Sequence, residues 1–330
     1  MDRGRLLGLD MTKAMKKQPF FLPFGGCRGR CVFCNQRAIT GVDEVPSPQF
    51  VSSILKNLTE PVEVCYFGGS FCRFTFEKIK EYLDAVVNDA PKGSRIRFST
   101  YPGDLQNKKL RSMVLSYPIA CVELGIQSLD SEVLSLCRRE TDPVAILENM
   151  VVLRDENVPL SVQLMIGLPG QTVSSSIYDI NKIAEIKGES EWQFRLYPCL
   201  VIENTELYEM MNSGEYTPLT VDEAVKWGGR VIDVATSLGF TPIRAGLQES
   251  EMLASQVRGG PHHPALGELM FSESIIRKLI RLNPKGPWVL PSSNMSKFTG
   301  HRGYGLNRLA ELTSMPEKEV AEKLTFFPAH

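Results

Sequence analysis

The chain has 330 residues, 43% of them apolar, so it can bury one large core or a large domain beside a smaller one. Its formal net charge of -1 excludes a globally basic protein, although a local basic face remains open. No apolar run is long enough to cross a bilayer, and the charged stretch 1–18 lacks the apolar segment of a signal peptide. We therefore expect a cytoplasmic protein without membrane contact, whose eight cysteines are reduced thiols or metal ligands.

Short apolar runs alternate with longer amphipathic stretches. The runs predict six strands, at Phe20–Phe24, Val62–Phe67, Arg95–Thr100, Ile119–Leu124, Leu160–Ile166 and Trp192–Tyr197. The stretches between them predict helices near Pro48–Leu58, Phe74–Asn88, Pro143–Glu156 and Val173–Lys187. This rhythm indicates an α/β fold with a parallel sheet, curled into a partial or full (β/α)6 barrel, although a doubly wound sheet would produce the same rhythm.

The pattern changes from about Thr205 onwards. Residues 221–238 look helical, a short strand is predicted at Phe240–Arg244, and the tail mixes helix with loop. We expect a core barrel over residues 1–205 and a smaller C-terminal α+β extension over residues 206–330, which is a candidate substrate-binding region. In a barrel the chemistry sits on the loops that follow the strands.

Three cysteines fall within eight positions after the first predicted strand. Residues 24–36 read Phe-Gly-Gly-Cys-Arg-Gly-Arg-Cys-Val-Phe-Cys-Asn-Gln, and in so turn-rich a loop Cys27, Cys31 and Cys34 can face a common centre. Ordinary iron–sulfur clusters take four cysteine ligands, so three would leave one iron open. A zinc knuckle without an obvious fourth ligand is an alternative, as is a redox pair of Cys31 and Cys34 that leaves Cys27 unexplained.

This Cys-x3-Cys-x2-Cys spacing, with Phe33 before the last cysteine, resembles the signature of the radical S-adenosylmethionine superfamily. The resemblance implies a radical SAM barrel and a [4Fe-4S] cluster on the three cysteines, whose open iron chelates S-adenosyl-L-methionine. One electron, from a donor such as ferredoxin or flavodoxin, would then cleave the cofactor to a 5'-deoxyadenosyl radical that abstracts hydrogen from substrate. The resemblance names no further catalytic residue.

Glycine-rich and polar motifs follow the later strands. Gly68, Gly69 and Ser70 end the second strand, where they form either a tight turn or, as the resemblance implies, the site for the methionyl amino group. Replacing Gly69 by Val is therefore expected to block that site without unfolding the chain. The segments Val122–Asp130, Leu136–Thr141 and Gln163–Thr172 resemble oxygen-independent coproporphyrinogen oxidases and the catalytic subunit of Elongator. That resemblance places Gln127, Arg138 and Gln163 around the cofactor.

The Elongator-type branch is the nearer resemblance. Residues 195–208 look like its sixth-strand segment, which implies cofactor contacts from Tyr197, Pro198 and Leu200. Elongator spaces its first two cysteines farther apart. The chain also leaves no room for the appended acetyltransferase domain, so we expect a short bacterial-type relative without acetyl-CoA chemistry.

The tail contains a stretch without acidic residues. Ser274–Ala310 holds no Asp or Glu, but it holds seven basic residues: Arg277, Lys278, Arg281, Lys285, Lys297, Arg302 and Arg308. Trp288, Phe298 and Tyr304 are interleaved with them, and exposed cations with aromatics suit phosphate contact and base stacking. We therefore expect RNA, and in particular tRNA, to contact Lys297 and Arg302. Alternatively, the basic residues form a solvated helix face and the aromatic residues belong to the core. Two other functions stay open: an enzyme that acts on a small molecule or peptide, and a non-enzymatic iron–sulfur or zinc protein.

Overall fold

Seven parallel strands form one open sheet in the computed structural model, which describes residues 15–139 and 141–328. In chain order, all strands of the described residues, including four outside this sheet, are β1 (Lys16–Phe21), β2 (Val62–Phe67), β3 (Arg95–Thr100), β4 (Ile119–Gln127), β5 (Leu160–Ile166), β6 (Gln193–Pro198), β7 (Val201–Ile202), β8 (Thr241–Ala245), β9 (Val257–Gly259), β10 (Trp288–Pro291) and β11 (Leu324–Phe327). The large sheet has the order β1-β2-β3-β4-β5-β6-β8, while β7 pairs with β9 and β10 with β11. This partial barrel confirms the predicted α/β fold class.

Helices cover the outer face of this sheet and build the tail. They are α1 (Gln36–Thr40), α2 (Pro48–Leu55), α3 (Phe76–Asp89), α4 (Lys108–Leu115), α5 (Ser131–Leu136), α6 (Pro143–Asp155), α7 (Val173–Lys187), α8 (Glu206–Asn212), α9 (Val221–Ser237), α10 (Glu251–Gln256), α11 (Leu266–Leu282), α12 (Met295–Thr299), α13 (Tyr304–Thr313) and α14 (Glu317–Lys323). Within the described part of the chain, no helix has the length and apolarity needed to cross a membrane.

Four of the seven strands in the large sheet differ from the sequence prediction. β4 extends three residues further, to Gln127, and β6 is shifted by one residue, to Gln193–Pro198. The first strand was predicted at Phe20–Phe24 and lies at Lys16–Phe21, because Phe24 has φ +57° and the Gly25 N–H turns back onto the Leu22 carbonyl at 2.8 Å. The strand predicted near 240–244 lies at 241–245 and pairs with β6 as the seventh strand of the large sheet. The core sheet therefore draws a strand from beyond residue 205, and the predicted division at that residue stays a prediction.

The two faces of the sheet have opposite character. On β4, Val122, Leu124 and Ile126 are completely buried in the main apolar core. Glu123 alternates with them and so lies on the inner face, where it is 1% exposed. It accepts hydrogen bonds from Arg97 Nη1 at 2.9 Å and lies 2.6 Å from Arg195 Nη2. Buried ion pairs thus connect neighbouring strands on the inner face of the barrel.

The tail has an apolar core of its own. Trp288 and Phe298 are 2% and 3% exposed and pack with Leu309 and Val320. The expectation that these aromatic residues are exposed for base stacking is therefore wrong for Trp288 and Phe298. This cluster joins residues from across 276–326, so Trp288 and Phe298 serve packing within the tail.

Asp179 on α7 is a buried carboxylate, 1% exposed, that accepts a hydrogen bond from Ser128 Oγ at 2.8 Å. Burial raises its pKa from 3.8 to about 6. A carboxyl whose pKa is higher in the folded state favours folding most at low pH, and this contribution is lost as pH rises towards 6. We expect Asp179→Asn to increase the free energy of unfolding at pH 8 by up to about 3 kcal/mol.

The pH profile is the diagnostic part of this prediction. The gain in Asp179→Asn should shrink as pH falls below 6, because the wild-type carboxyl then becomes neutral as well. Urea unfolding at pH 8 and pH 5 measures both values. A variant that loses stability equally at both pH values would show that charge burial is not the dominant effect.

Candidate functional site

The cysteine loop leaves the carboxyl end of β1 and is tied to the end of β2. Leu22 N–H donates to the Phe67 carbonyl at 2.6 Å, and Ser70 N–H donates to the Gly25 carbonyl at 2.8 Å. Because β1 and β2 are parallel, their carboxyl ends meet at one edge of the sheet. These backbone bonds place the loop over the open end of the barrel.

Contacts with later segments hold the second half of the loop. Val32 N–H donates to the Cys137 carbonyl at 3.2 Å, just after α5, and Leu207 N–H on α8 donates to the Val32 carbonyl at 2.9 Å. Asn35 caps α1 by accepting from Ala38 N–H and donates its amide to the Glu203 carbonyl at 3.1 Å. Segments far apart in the chain thus fix the backbone that carries the cysteines.

The three thiols lie within electrostatic reach of one another. Cys27 is exposed, whereas Cys31 and Cys34 are partly buried. Displacement of water by the surrounding protein raises the pKa of the Cys27 thiol, and Cys31 raises it further. Burial raises the pKa of Cys34 to about 12, with added contributions from Cys31 and Cys27. Ionisation of one thiol therefore opposes ionisation of its neighbours, and a bound cation would have to stabilise their thiolate forms.

A cavity of about 700 Å³ opens at the cysteine loop. This volume is within the usual range for small-molecule sites. Its lining combines the three sulfurs with polar side chains from several strand ends: Cys27, Arg28, Gly29, Arg30, Cys31, Val32, Cys34, Ser70, Arg73, Tyr101, Arg138, Arg139, Asn204, Thr205 and Glu206. Cys27, Cys31, Cys34, Ser70 and Arg138 are the members that the sequence predicts.

One wall of the cavity is organised by Asp104. Its carboxylate accepts hydrogen bonds from Ser70 Oγ at 2.6 Å, Thr100 Oγ1 at 2.7 Å and Arg73 Nε at 2.7 Å. The side chain is only 7% exposed, so these donors replace water around a nearly buried charge. Ser70 is thereby locked against the end of β3, as is Arg73.

Arg139 and Tyr101 are site residues that sequence reasoning missed. Arg139 Nη1 lies 3.3 Å from Cys31 Sγ, and its Nη2 donates to the Gly125 carbonyl. The predicted neighbour, Arg138, has φ +52°, and its side chain is 66% exposed and paired with Glu206. The position of Tyr101 directly after β3 was the available signal, because strand ends surround the site.

Gly69 lies close against the backbone of the cysteine loop, and the expected effect of Gly69→Val stays a prediction. A Cβ atom on Gly69 would lie 2.2 Å from the Gly25 carbonyl oxygen and 2.8 Å from the Leu22 carbonyl oxygen. Both neighbours are backbone atoms, so a side chain there must displace the cysteine loop. Gly68 has φ +94°, a conformation that favours glycine.

Gln127 and Gln163 lie together beneath the open end of the barrel. Gln163 Nε2 donates to Gln127 Oε1 at 3.3 Å, and Gln127 is 6% exposed. Gln127 has φ +69° at the end of β4, where the register with β5 is irregular. Gln127 is the last residue of β4, at the end of the sheet from which the cysteine loop extends, and Gln163 is the central residue of β5.

The remaining predicted contacts are apolar. Phe33 and Tyr197 pack on one cluster with Cys137 and Cys199. Pro198 ends β6 and is buried, while Leu200 packs with Ala38 and Leu253 in a separate cluster under α1. The structure therefore groups Phe33 with Tyr197, and it places Leu200 in a different apolar cluster. Their contact with a cofactor stays a prediction.

The last feature of the site is its set of candidate metal ligands, the three cysteine thiols. Within residues 15–139 and 141–328, no three His, Cys, Asp or Glu side chains are arranged to hold a single metal ion. The three thiols instead line the wall of a cavity with Arg139 beside Cys31. Sulfur donors around a wide, polar cavity fit an iron–sulfur cluster with a further ligand beside it.

Two segments match described protein families. Residues 21–179 match the Radical SAM superfamily, and residues 192–277 match the Radical_SAM C-terminal domain. The first match contains the cysteine loop and the ends of β1 to β5, and the second contains β6 and β8. The chain belongs to the radical SAM superfamily.

Its more particular likeness is to Elongator-type proteins. The chain is 29% identical to a tRNA uridine(34) acetyltransferase of Methanocaldococcus infernus over 232 residues, which is 64% of this chain and 42% of that protein. It is 23% identical to Elongator complex protein 3 of Bos taurus over 238 residues, 66% of this chain and 42% of that protein. The matched segment thus spans less than half the length of these relatives.

A solved structure supports the same likeness. The archaeal Elp3 of Methanocaldococcus infernus with an N-terminal deletion superposes with a TM-score of 0.57 at 25% identity. The superposition covers 81% of this chain and 65% of that chain. Fold and sequence therefore agree on the Elongator-type branch.

Proposed function

We propose that the chain binds a [4Fe-4S] cluster through Cys27, Cys31 and Cys34, cleaves S-adenosyl-L-methionine, and modifies tRNA. The observation that carries the proposal is the position of the three thiols on one cavity wall at the carboxyl end of the sheet. Membership of the radical SAM superfamily supports the same cofactor pair. Cys27, Cys31 and Cys34 would hold the cluster, which would supply the reductive cleavage of S-adenosylmethionine needed for hydrogen abstraction from substrate.

The residues of the chain position these groups and exclude water. Ser70, fixed by Asp104, presents the end of β2 to the cavity, and Arg139 supports the Cys31 sulfur. Arg138 and Glu206 form an ion pair on the opposite lining segment. A polar lining of this kind suits the amino and carboxylate groups of the methionyl moiety.

An external donor must supply the electron, and we propose a small redox protein such as ferredoxin or flavodoxin. The cysteine loop gives it an approach, since Arg28, Gly29 and Arg30 are exposed beside Cys27. Two cations at the rim would favour an acidic donor surface.

The proposal of tRNA depends on the relatives and on surface charge. Three relatives are named for tRNA uridine(34) acetylation, and this chain covers 42%, 42% and 50% of their lengths. Of the seven basic residues in Ser274–Ala310, four are exposed and make no ion pair with described residues: Lys278, Lys285, Lys297 and Arg302. Arg277, Arg281 and Arg308 are instead paired with Glu273 or Asp233. Arg3, Arg5 and Lys13 of the basic N-terminal segment lie outside the described residues.

Replacing Lys297 and Arg302 together by Ala should weaken tRNA binding and flatten its dependence on salt. Each lost phosphate contact removes about 0.9 from the slope of log K against log salt concentration. Filter binding of tRNA at two salt concentrations measures the slope for the wild type and the variant. Because both side chains are exposed, thermal stability should stay unchanged.

The matched control is Arg277→Ala with Arg281→Ala, which removes two cations that already have carboxylate partners. This double variant should lower the thermal midpoint, because Glu273 is completely buried and would lose a partner. The salt slope of tRNA binding should stay close to that of the wild type. Wild-type protein that is folded yet binds tRNA undetectably, or without salt dependence, would redirect the substrate assignment to a small molecule.

A further inference from the structure

A buried arginine connects the cysteine loop to the sheet. Arg139 is 9% exposed, lies 3.3 Å from Cys31 Sγ through Nη1, and donates to the Gly125 carbonyl through Nη2. A guanidinium cannot be deprotonated under ordinary conditions, so a fixed positive charge stands next to this sulfur. Among the described cationic side chains, Arg139 is the one for which the structure shows a hydrogen bond to any of Cys27, Cys31 or Cys34.

An aromatic ring holds this arginine together with a second one. The Arg139 guanidinium carbon lies 4.8 Å from the centre of the Tyr101 ring, and that of Arg73 lies 3.7 Å from it. Arg73 is fixed in turn by Asp104, 2.7 Å from its Nε. The result is a connected stack of Asp104, Arg73, Tyr101 and Arg139 that ends at Cys31. Cation–π contacts of this type are worth more where water is displaced.

The stack has a consequence for electron uptake. Reduction adds one electron to the cluster and no bond of the protein changes, so the charge at the cysteine sulfurs becomes more negative. A fixed cation and an N–H donor at one sulfur stabilise the reduced state more than the oxidised state. The effect is strong where the cation is shielded from solvent, as Arg139 is.

We propose that Arg139 is a positioning residue that donates an N–H···S hydrogen bond to the cluster thiolate of Cys31 and raises the reduction potential, with Tyr101 holding its guanidinium in place. This inference rests on the proposed function, because it requires the cluster on the cysteine loop. A purely mechanical role for Arg139, joining the loop to β4, would affect stability and leave the potential unchanged.

The test is a potentiometric titration of the reconstituted, full-length protein under anaerobic conditions, with dithionite as the one-electron donor and electron paramagnetic resonance as the readout. At the midpoint potential of the wild type, Arg139→Met should show a ratio of reduced to oxidised cluster about tenfold lower, which corresponds to ~59 mV for a one-electron couple. Arg139→Lys should fall between the two, because it keeps a cation but loses the planar fork.

Substitutions at Tyr101 test the stack without touching the donor. Tyr101→Leu should shift the potential in the same direction as Arg139→Met and by less, since the ring no longer orients the guanidinium. Tyr101→Phe should restore the wild-type value, because the aromatic face remains. Should Arg139→Met fail to retain the cluster, the Leu and Phe pair still decides the question.

Arg111→Met is the matched control. Arg111 is also buried, at 8% exposure, but it pairs with Glu156 and the Leu105 carbonyl and does not line the cavity. This variant should lose stability with no change of potential. Equal potentials in wild type, Arg139→Met and Tyr101→Leu would overturn the inference alone, while wild-type protein that takes up no cluster would overturn both it and the proposed function.

Discussion

Cys31→Ala is expected to abolish the iron–sulfur cluster. The Cys31 sulfur is central to the loop, since it raises the pKa of both Cys27 and Cys34 and is the sulfur that Arg139 contacts. Removing it leaves two thiols, fewer than any [4Fe-4S] site requires. Anaerobically reconstituted wild type should contain about four irons per chain, and the variant should retain close to none of the visible absorbance of the cluster.

The control for Cys31→Ala is Cys121→Ala. Cys121 is 2% exposed on β4 and lies within the polar inner face near Gln193, 4.0 Å from its Oε1. Its loss should lower the thermal midpoint and leave the iron content unchanged, because it is a packing residue. Iron content that falls equally in both variants would show that folding, and not ligation, controls cluster uptake.

Gly69→Val is expected to displace the cysteine loop and so to reduce cluster uptake as severely as loss of a ligand. The new Cβ would meet the backbone of Gly25 and Leu22 at 2.2–2.8 Å, and neither can rotate away as a side chain could. Crowding of this kind costs about 1–3 kcal/mol or more where the backbone must move. Iron content and the thermal midpoint of the variant measure the two effects.

Gly29→Ala provides the comparison within the same loop. A Cβ atom on Gly29 would have no neighbour within 4 Å, so this variant should bind iron and unfold like the wild type. Gly69→Val protein with normal iron content and stability would show that the loop can move away from β2, against the close approach seen between Gly69 and Gly25.

Residues that end or cap an element explain which elements could be predicted. β2, β3, β5 and α7 lie where the sequence predicts them, because glycine or proline follows three of them and Thr172 caps the fourth through a capping box. The start of the site was harder to predict. Phe24 takes a positive φ that its residue type does not suggest, and it moves the first strand towards the N-terminus.

The metal ligands of the site could be predicted because their spacing in the sequence is distinctive, whereas other residues of the site could not. Cys27, Cys31 and Cys34 are recognisable from their separation, whereas Arg138 and Arg139 are adjacent and chemically identical in the sequence. The left-handed backbone at Arg138, two residues after the end of α5, turns that side chain outwards and leaves Arg139 to reach Cys31. The tail misleads for a similar reason, since composition cannot tell that Trp288 and Phe298 build a separate core.

Product analysis tests the central claim most directly. Anaerobically reconstituted protein, reduced with dithionite and mixed with S-adenosylmethionine, should release 5'-deoxyadenosine and methionine in equal amounts, and Cys31→Ala should release neither. This result would place reductive cleavage of the cofactor on the cysteine loop. Wild-type protein that carries a full [4Fe-4S] cluster and still produces no 5'-deoxyadenosine would contradict the account.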